Sequence, residues 1–161
     1  MRLRTALLRA AAGAVCLWPI AVAADSDAMA VIVAVDSRHR VESRDQLAEI
    51  YRRRKQFWSD GQRIDPVNLP AADPLRRRFS LAVMGALPEQ LEAFWNEMYF
   101  HGVLPPQVLK SVEAVLRIVA TTPGAIGYIP LCAADKRVAI ALAIDSAGAA
   151  VDKEPGAVCP H

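Results

Sequence analysis

The sequence predicts an α/β fold in which helices flank a small mixed sheet. The chain has 161 residues, of which 53% are hydrophobic and 22% are charged, enough apolar material for the core of one domain. Short β-rich runs alternate with segments whose apolar residues recur at helical spacing. The predicted order is β-α-β-α-α-α-β-β, which favours layered helices and sheet over an all-helical or all-β fold.

The first elements after residue 24 should be a strand, a helix and a second strand. A β-rich apolar run predicts a strand over Met29–Val35. Ser43 begins a capping box and therefore a helix, which should end at the basic run Arg52–Lys55, because cations interact favourably with the negative end of the helix dipole. A second strand is expected over Ile64–Leu69, where Pro66 predicts an edge or irregular position.

Three helices and two strands should complete the domain. Asp73 has the position of an N-cap residue, followed by Pro at the first helical position. Pro88 opens the next helix, whose apolar stripe should pack into the core: Leu91, Phe94, Trp95 and Met98. Ser111 caps the third helix. Two short strands should follow, over Ala125–Pro130 and Arg137–Ile144.

The amino-terminal 24 residues have the pattern of a secretory signal peptide. Three arginines precede or interrupt an apolar stretch, Ala10–Ala24, that ends in small residues. The stretch is shorter than the roughly 20 apolar residues of a membrane span, so cleavage is favoured over an anchor. Cys16 leaves lipoprotein cleavage as a third alternative, although Val15 is an unfavourable residue before it. We therefore predict export to the periplasm.

Removal of this segment changes the charge balance. The full chain has 19 basic and 17 acidic residues, a net charge of +2, and residues 1–24 contain three arginines and no acid, which leaves 16 basic and 17 acidic residues. Only residues 38–78 keep an excess, with 11 basic and 6 acidic side chains. A nucleic-acid partner is therefore not predicted, whereas a local basic band could attract an anion or an acidic protein.

Three segments are predicted: a signal peptide over 1–24, an α/β domain over 25–145 and a C-terminal tail over 146–161. After cleavage Cys132 and Cys159 remain, and in an oxidising compartment they should form a disulfide that tethers the tail. The closed loop of about 27 residues would contribute roughly 3 kcal/mol. Metal binding by these cysteines is the weaker alternative, because no CxxC or HExxH pattern occurs.

No pattern of catalytic residues is present. The segment Gly124–Gly127 is too short for a dinucleotide fingerprint, and neither a Walker motif nor a Gly-x-Ser-x-Gly elbow occurs. We therefore predict a protein without catalytic residues, cofactor or metal.

One segment could bind an anion. It combines a strand, a short loop and a helix start over Pro66–Arg76. Free N–H groups at a helix start attract anions, and Arg76 could add a planar guanidinium. The Asp73 carboxylate competes for the same N–H groups, so simple N-capping is the alternative.

Six motifs also occur in a specific order along the chain. They are Ala48–Gly61, Ile64–Val67, Asp73–Phe79, Phe94–Phe100, Gly102–Pro106 and Thr122–Ile129. Together they resemble phosphate ABC-transporter substrate-binding proteins, and most closely the short, single-lobe relatives of that family.

The resemblance implies one lobe of a type II periplasmic binding fold and a non-enzymatic role. Full-length members bind phosphate at a helix-start loop, and the matching segment here is Ala72–Leu75. Together with Arg76, this gives Ala72, Asp73, Leu75 and Arg76 as the candidate ligand-binding residues. The implied ligand is phosphate or another small oxyanion. The implied partners are a membrane permease or a second lobe-like chain that forms the other wall of a cleft.

The alternative function is that of a periplasmic interaction or sensory protein that keeps the lobe as a scaffold without a ligand. Such a protein would present its basic residues to an acidic partner, for example a membrane sensor. The candidate partner-binding residues are Arg52, Arg53, Arg54, Lys55, Arg77 and Arg78.

Overall fold

A computed structural model describes residues 28–153, which form a five-stranded mixed sheet flanked by helices. The strands are β1 (Met29–Ala34), β2 (Asp65–Asn68), β3 (Gln107–Val108), β4 (Ala125–Pro130) and β5 (Val138–Ile144). The α-helices are α1 (Arg44–Tyr51), α2 (Pro74–Phe79), α3 (Glu92–Phe100) and α4 (Val112–Thr121). The predicted α/β class is confirmed.

The sheet has the strand order β3-β2-β4-β1-β5. β1 pairs antiparallel with β4 on one side and with β5 on the other, so that Ala30 lies between Ile129 and Ala143. β2 runs parallel to β4 and to β3. The first five residues of β1 are buried. A strand that is covered on both faces is expected to have such a continuous apolar sequence.

Side-chain caps fix the starts of two helices as predicted. The Ser43 hydroxyl accepts a hydrogen bond from the Gln46 N–H at 3.1 Å, and Ser111 caps α4 through the Ala114 N–H at 3.2 Å. α4 packs its apolar face on the sheet at Gly127, where an added Cβ would lie 2.6 Å from Val115 Cγ1. The glycine therefore permits the close approach of helix and strand.

We predicted an edge or irregular position for Pro66; it lies in β2, which is second in the sheet and not at its edge. The Asp65 N–H donates to the Gly124 carbonyl, so the nitrogen of Pro66 faces the other side. On that side the pairing with β3 begins only at Val67, and the missing N–H breaks no ladder hydrogen bond. β3 was not predicted, because it is only two residues long and exposed.

The predicted helix after Asp73 has an irregular second half. α2 continues into a π-helical turn, Ser80–Met84, which ends at Gly85 with a left-handed φ of 69°. Intrinsic propensity does not distinguish a π-turn from α-helix, because the two differ by one residue in hydrogen-bond spacing.

The prediction that the stripe Leu91, Phe94, Trp95 and Met98 belongs to the core holds only in part. No residue of α3 is buried, although Leu91 just before it is buried and Trp95 packs partly against the core. Tyr99 and Phe100 are 64% and 86% exposed. Helical periodicity reveals which residues share a face, but not whether another element covers that face.

The first part of the predicted tail turns back along β5. Asp145 closes a turn by accepting hydrogen bonds from Ala147 N and Ala149 N, and Val151 N donates to the Ala143 carbonyl. The predicted signal peptide and Cys159 lie outside the described residues, so cleavage and the Cys132–Cys159 disulfide stay predictions. Within residues 28–153 no helix is long and apolar enough to cross a membrane.

Candidate anion site at the turn between β2 and α2

The predicted anion-binding segment forms a tight turn between β2 and α2. The Asp73 N–H donates to the Pro70 carbonyl at 2.9 Å, and the Asp73 side chain then caps α2. Its Oδ1 accepts hydrogen bonds from Leu75 N at 2.8 Å and from Arg76 N at 3.4 Å. The two N–H groups that were candidates for an anion are therefore bound by the protein's own carboxylate.

Arg76 is a buried cation beneath this turn. It is 6% exposed, and its Nη1 donates to Oδ1 of Asn68, which is itself buried. Among residues 28–153 no carboxylate lies within 4 Å of its guanidinium, and its acceptor is a neutral amide. Buried arginines are usually paired with an anion, so this positive charge is unusual.

Two buried tyrosines complete the polar cluster around Asn68. The Tyr128 hydroxyl donates to Asn68 Oδ1 at 3.3 Å and accepts from Leu69 N at 3.2 Å. The Tyr51 hydroxyl donates to the Val67 carbonyl at 3.2 Å. Phe79 stacks on Tyr128 with a centroid distance of 3.7 Å, which fixes the ring.

Burial determines the protonation state of the two tyrosines in the cluster. Burial raises the pKa of Tyr128, and Arg76 opposes this shift. Burial, followed by the influence of Tyr128, raises the pKa of Tyr51 well above its ordinary value. Both hydroxyls are therefore neutral hydrogen-bond donors at physiological pH, and the charges of the site are those of Arg76 and Asp73.

The structure brings three of the four predicted anion-binding residues together. Asp73 caps the helix, Leu75 is buried and contributes its backbone N–H, and Arg76 lies below the turn, whereas Ala72 is exposed. Asn68 and Tyr128 were not among the predicted site residues. A polar residue inside an apolar strand was the available signal for Asn68.

The predicted basic surface at residues 52–55 does not point outward as a unit. Arg52 donates through Nη2 to the Met84 carbonyl at 2.8 Å, at the end of the π-turn. Arg53 is buried and donates to the Ile64 carbonyl at 2.9 Å. Arg54 is exposed, 3.4 Å from Glu49, and Lys55 is half-buried. The expectation that all four cations face a partner is therefore corrected for Arg53.

The other predicted partner-binding residues lie on α2. Arg77 makes a bidentate ion pair with Glu89 at 2.9 Å for both nitrogens, and Arg78 is half-buried. The hydrogen bond from Arg77 lowers the pKa of Glu89. This pairing reduces the net positive charge that α2 offers to an acidic partner. Within the described chain no group of three or more His, Cys, Asp or Glu side chains could hold a metal ion.

Several solved structures are similar to the described chain. One is a phosphate ABC-transporter substrate-binding protein from Clostridium perfringens with bound phosphate, with a TM-score of 0.59 and 18% identity, covering 74% of this chain and 46% of that one. An ABC-type phosphate transport receptor from Vibrio cholerae has a TM-score of 0.58 and 22% identity, covering 72% and 46%. PstS from Borrelia burgdorferi has a TM-score of 0.52 and 19% identity, covering 66% and 41%.

These similarities concern the fold. No protein-family model and no curated protein matches the sequence. The chain spans less than half the length of each of the three solved proteins. It therefore has the α/β fold of one lobe of the phosphate-binding proteins.

Proposed function

We propose that this chain is an exported, non-enzymatic solute-binding protein of a single lobe, which binds phosphate or a similar small oxyanion at the turn between β2 and α2. The observation that carries the proposal is the buried guanidinium of Arg76, which donates to the neutral amide of Asn68 and has no carboxylate within 4 Å among residues 28–153. An oxyanion bound at this turn would compensate the buried charge.

Two further features support this location. The similar lobes belong to proteins described as phosphate-binding or phosphate-transport proteins. The tyrosine hydroxyls near Arg76 are neutral and therefore do not repel an anion. A second chain would have to supply the other wall of a cleft, because one lobe covers an anion from one side only.

Asp73 gives a direct test of the site. Asp73→Asn removes the negative charge but keeps a side chain that caps helices well. If the turn binds an oxyanion, this variant should bind phosphate and sulfate about tenfold more tightly than the wild type. Isothermal titration calorimetry at low salt measures the change.

Arg76→Met should abolish the binding of phosphate and sulfate. A circular dichroism spectrum identical to that of the wild type would show that this variant is folded. Arg54→Met is the matched control, because Arg54 is exposed and its ion pair within the described residues is with Glu49. Absence of heat at millimolar phosphate and sulfate in both the wild type and Asp73→Asn would contradict the oxyanion proposal.

A second candidate is an interaction or sensory protein that uses the lobe as a scaffold. It is favoured by Asp73, whose carboxylate already binds the N–H groups of the helix start. In that case a partner with an acidic surface would bind Arg54 and Lys55, and charge reversal at both positions would weaken the complex without affecting stability. A solute-binding protein would have a membrane permease as its partner, and an interaction or sensory protein would have a membrane sensor.

The location of the protein is part of the proposal. We propose that residues 1–24 are removed during export and that the mature chain begins at Asp25 in the periplasm. Amino-terminal sequencing of the protein from a periplasmic extract tests this, and a start at Met1 would overturn it.

A further inference from the structure

A cavity lies at the opposite end of β2 from the Arg76 cluster. It has a volume of about 310 Å³, and it opens where β2 and β4 begin, at Asp65 and Ala125, beside the segment 104–107. This volume is at the lower end of the range of small-molecule pockets. Because Asn68 lies at the carboxyl end of the same strand, the cavity is distinct from the proposed oxyanion site.

Arg53 lines this cavity in an unusual state. It is 8% exposed, and it is the non-glycine residue of the described chain with a positive φ, 60°. Non-glycine residues rarely adopt this conformation, and at functional sites it often serves to hold a side chain in place. Here it turns the arginine away from the surface.

The guanidinium of Arg53 is only partly bound by the protein. Nη1 donates to the Ile64 carbonyl at 2.9 Å, whereas the buried Nε has no acceptor. Within residues 28–153 no carboxylate lies within 4 Å of it. A buried cation that lacks both an anion and part of its hydrogen bonds is costly unless a ligand completes them.

A second cation lines the same cavity. Arg63 is mostly exposed, and its Nε lies 3.4 Å from Asp65 Oδ1. Arg53, Arg63 and Asp65 together give the lining a formal charge of +1. Burial, and then the proximity of Arg63, lowers the pKa of Arg53, while Asp65 opposes the shift. A bound anion would relieve this repulsion.

The rest of the lining is mainly apolar. It includes Pro105, Pro106, Val67 and Ile118, together with the polar side chains of Gln107 and Thr122. Phosphate would leave these apolar walls without a contact, and its two negative charges at neutral pH exceed the single net charge of the lining. A ligand with one negative group and an apolar body matches both the single net charge and the walls.

We propose that this cavity binds small organic monocarboxylates, with the carboxylate on Arg53 and Arg63 and the apolar body against Pro105, Pro106 and Ile118. Guanidinium groups bind carboxylates through paired hydrogen bonds, which suits a cavity lined by two arginines and apolar side chains. This proposal does not depend on oxyanion binding at the turn between β2 and α2.

Phenylacetate is a suitable probe, with neutral phenylacetamide and inorganic phosphate as its controls. Titration of the purified protein followed by two-dimensional amide NMR should give saturable shifts at millimolar phenylacetate around residues 104–107 and 122–125. Phenylacetamide should bind at least about tenfold more weakly, because it lacks the charge. Equal binding of both compounds, or no shift with phenylacetate, would overturn the proposal.

Arg63→Gln should weaken phenylacetate binding about tenfold, and since Arg63 is exposed the fold should be unaffected. Arg38→Gln is the matched control, because Arg38 is exposed and does not line the cavity, and it should bind like the wild type. Arg53→Gln should abolish phenylacetate binding if the variant folds. Arg63→Gln is the decisive variant, because the exposed position of Arg63 makes its result independent of a folding defect. Unchanged affinity in Arg63→Gln would overturn the assignment. Arg76→Met should keep phenylacetate binding, which separates this site from the oxyanion site.

Discussion

The Tyr128 hydroxyl connects the centre of the sheet to the polar cluster around Arg76. It donates to Asn68 and accepts from the backbone of Leu69, so that one oxygen satisfies two buried groups. Asn68 in turn accepts from Arg76. Loss of the hydroxyl would therefore leave a buried N–H without an acceptor and Asn68 with one donor fewer.

Tyr128→Phe should lower the free energy of unfolding by about 1–3 kcal/mol, because the ring still packs on Phe79 while the buried polar groups lose a partner. Urea denaturation followed by fluorescence or circular dichroism measures the difference. Tyr99→Phe is the matched control: its side chain is 64% exposed, and the change should be close to zero. Equal stability of Tyr128→Phe and the wild type would contradict the role given to the hydroxyl.

At the residue scale, local chemistry was predictable and remote contacts were not. The capping roles of Ser43, Asp73 and Ser111 depend on neighbours two or three residues away, and the sequence shows these directly. Arg76, in contrast, turns back to Asn68 in the preceding strand. The inward turn of Arg53 depends on a positive φ, which no spacing of arginines predicts.

At the element scale, an ion-pair network joins the start of α4 to the start of β5. Arg137 contacts Glu113 through two nitrogens at 2.6 and 2.9 Å, and it contacts Asp135 at 2.7 Å. The hydrogen bonds from Arg137 lower the pKa of both carboxyl groups. The network is solvent-exposed, so its contribution should be modest and dependent on salt.

This network should make stability depend on pH. A carboxyl whose pKa is lower in the folded chain stabilises the fold above its unfolded-state pKa of about 4, and this stabilisation is lost as the pH falls through the folded value. Arg137→Gln should therefore lower the melting temperature at neutral pH by a few degrees at most, with no effect near a pH of about 2.

Calorimetric melting curves of Arg137→Gln across this pH range provide the measurement. Arg38→Gln serves as the control, because Arg38 is exposed and makes no ion pair within the described chain. An effect of Arg137→Gln that stays constant down to the lowest pH would contradict an electrostatic origin.

The order and approximate bounds of most elements were predictable because their periodicity is strong. β1, β4 and α4 are found within a few residues of their predicted positions. β3 and the packing of α3 were not predictable, since both depend on which elements lie next to them in space. α3 has the apolar spacing of a core helix, yet within the described residues no element covers Tyr99 and Phe100, which are exposed to solvent.

At the scale of the whole molecule, the predicted disulfide would close the chain end onto the domain. Unreduced, denatured mature protein should contain no free thiols, and reduction should lower the free energy of unfolding by about 3 kcal/mol. A thiol assay and denaturation curves test both. The double variant Cys132→Ser, Cys159→Ser should match the reduced protein. Two free thiols in the unreduced sample would contradict the pairing.

The lobe architecture could be predicted from motif order, whereas the state of its ligand site could not. The order of the motifs led to the fold that the solved phosphate-binding proteins share. The competition between Asp73 and an anion depends on distances of 2.8 and 3.4 Å, which only the folded chain supplies. The cavity at Arg53 was also beyond prediction, because it joins segments that are distant in the sequence.

The central position of β1 also determines when the chain can fold. β1 is the first strand of the described chain, but Ala30 pairs with Ile129 and Ala143, about 100 residues later. If the protein is exported as we propose, its amino-terminal part would cross the membrane long before the partners of β1. The sheet could then close only when translocation is nearly complete, so the chain would stay in the unfolded form that a narrow translocation channel requires.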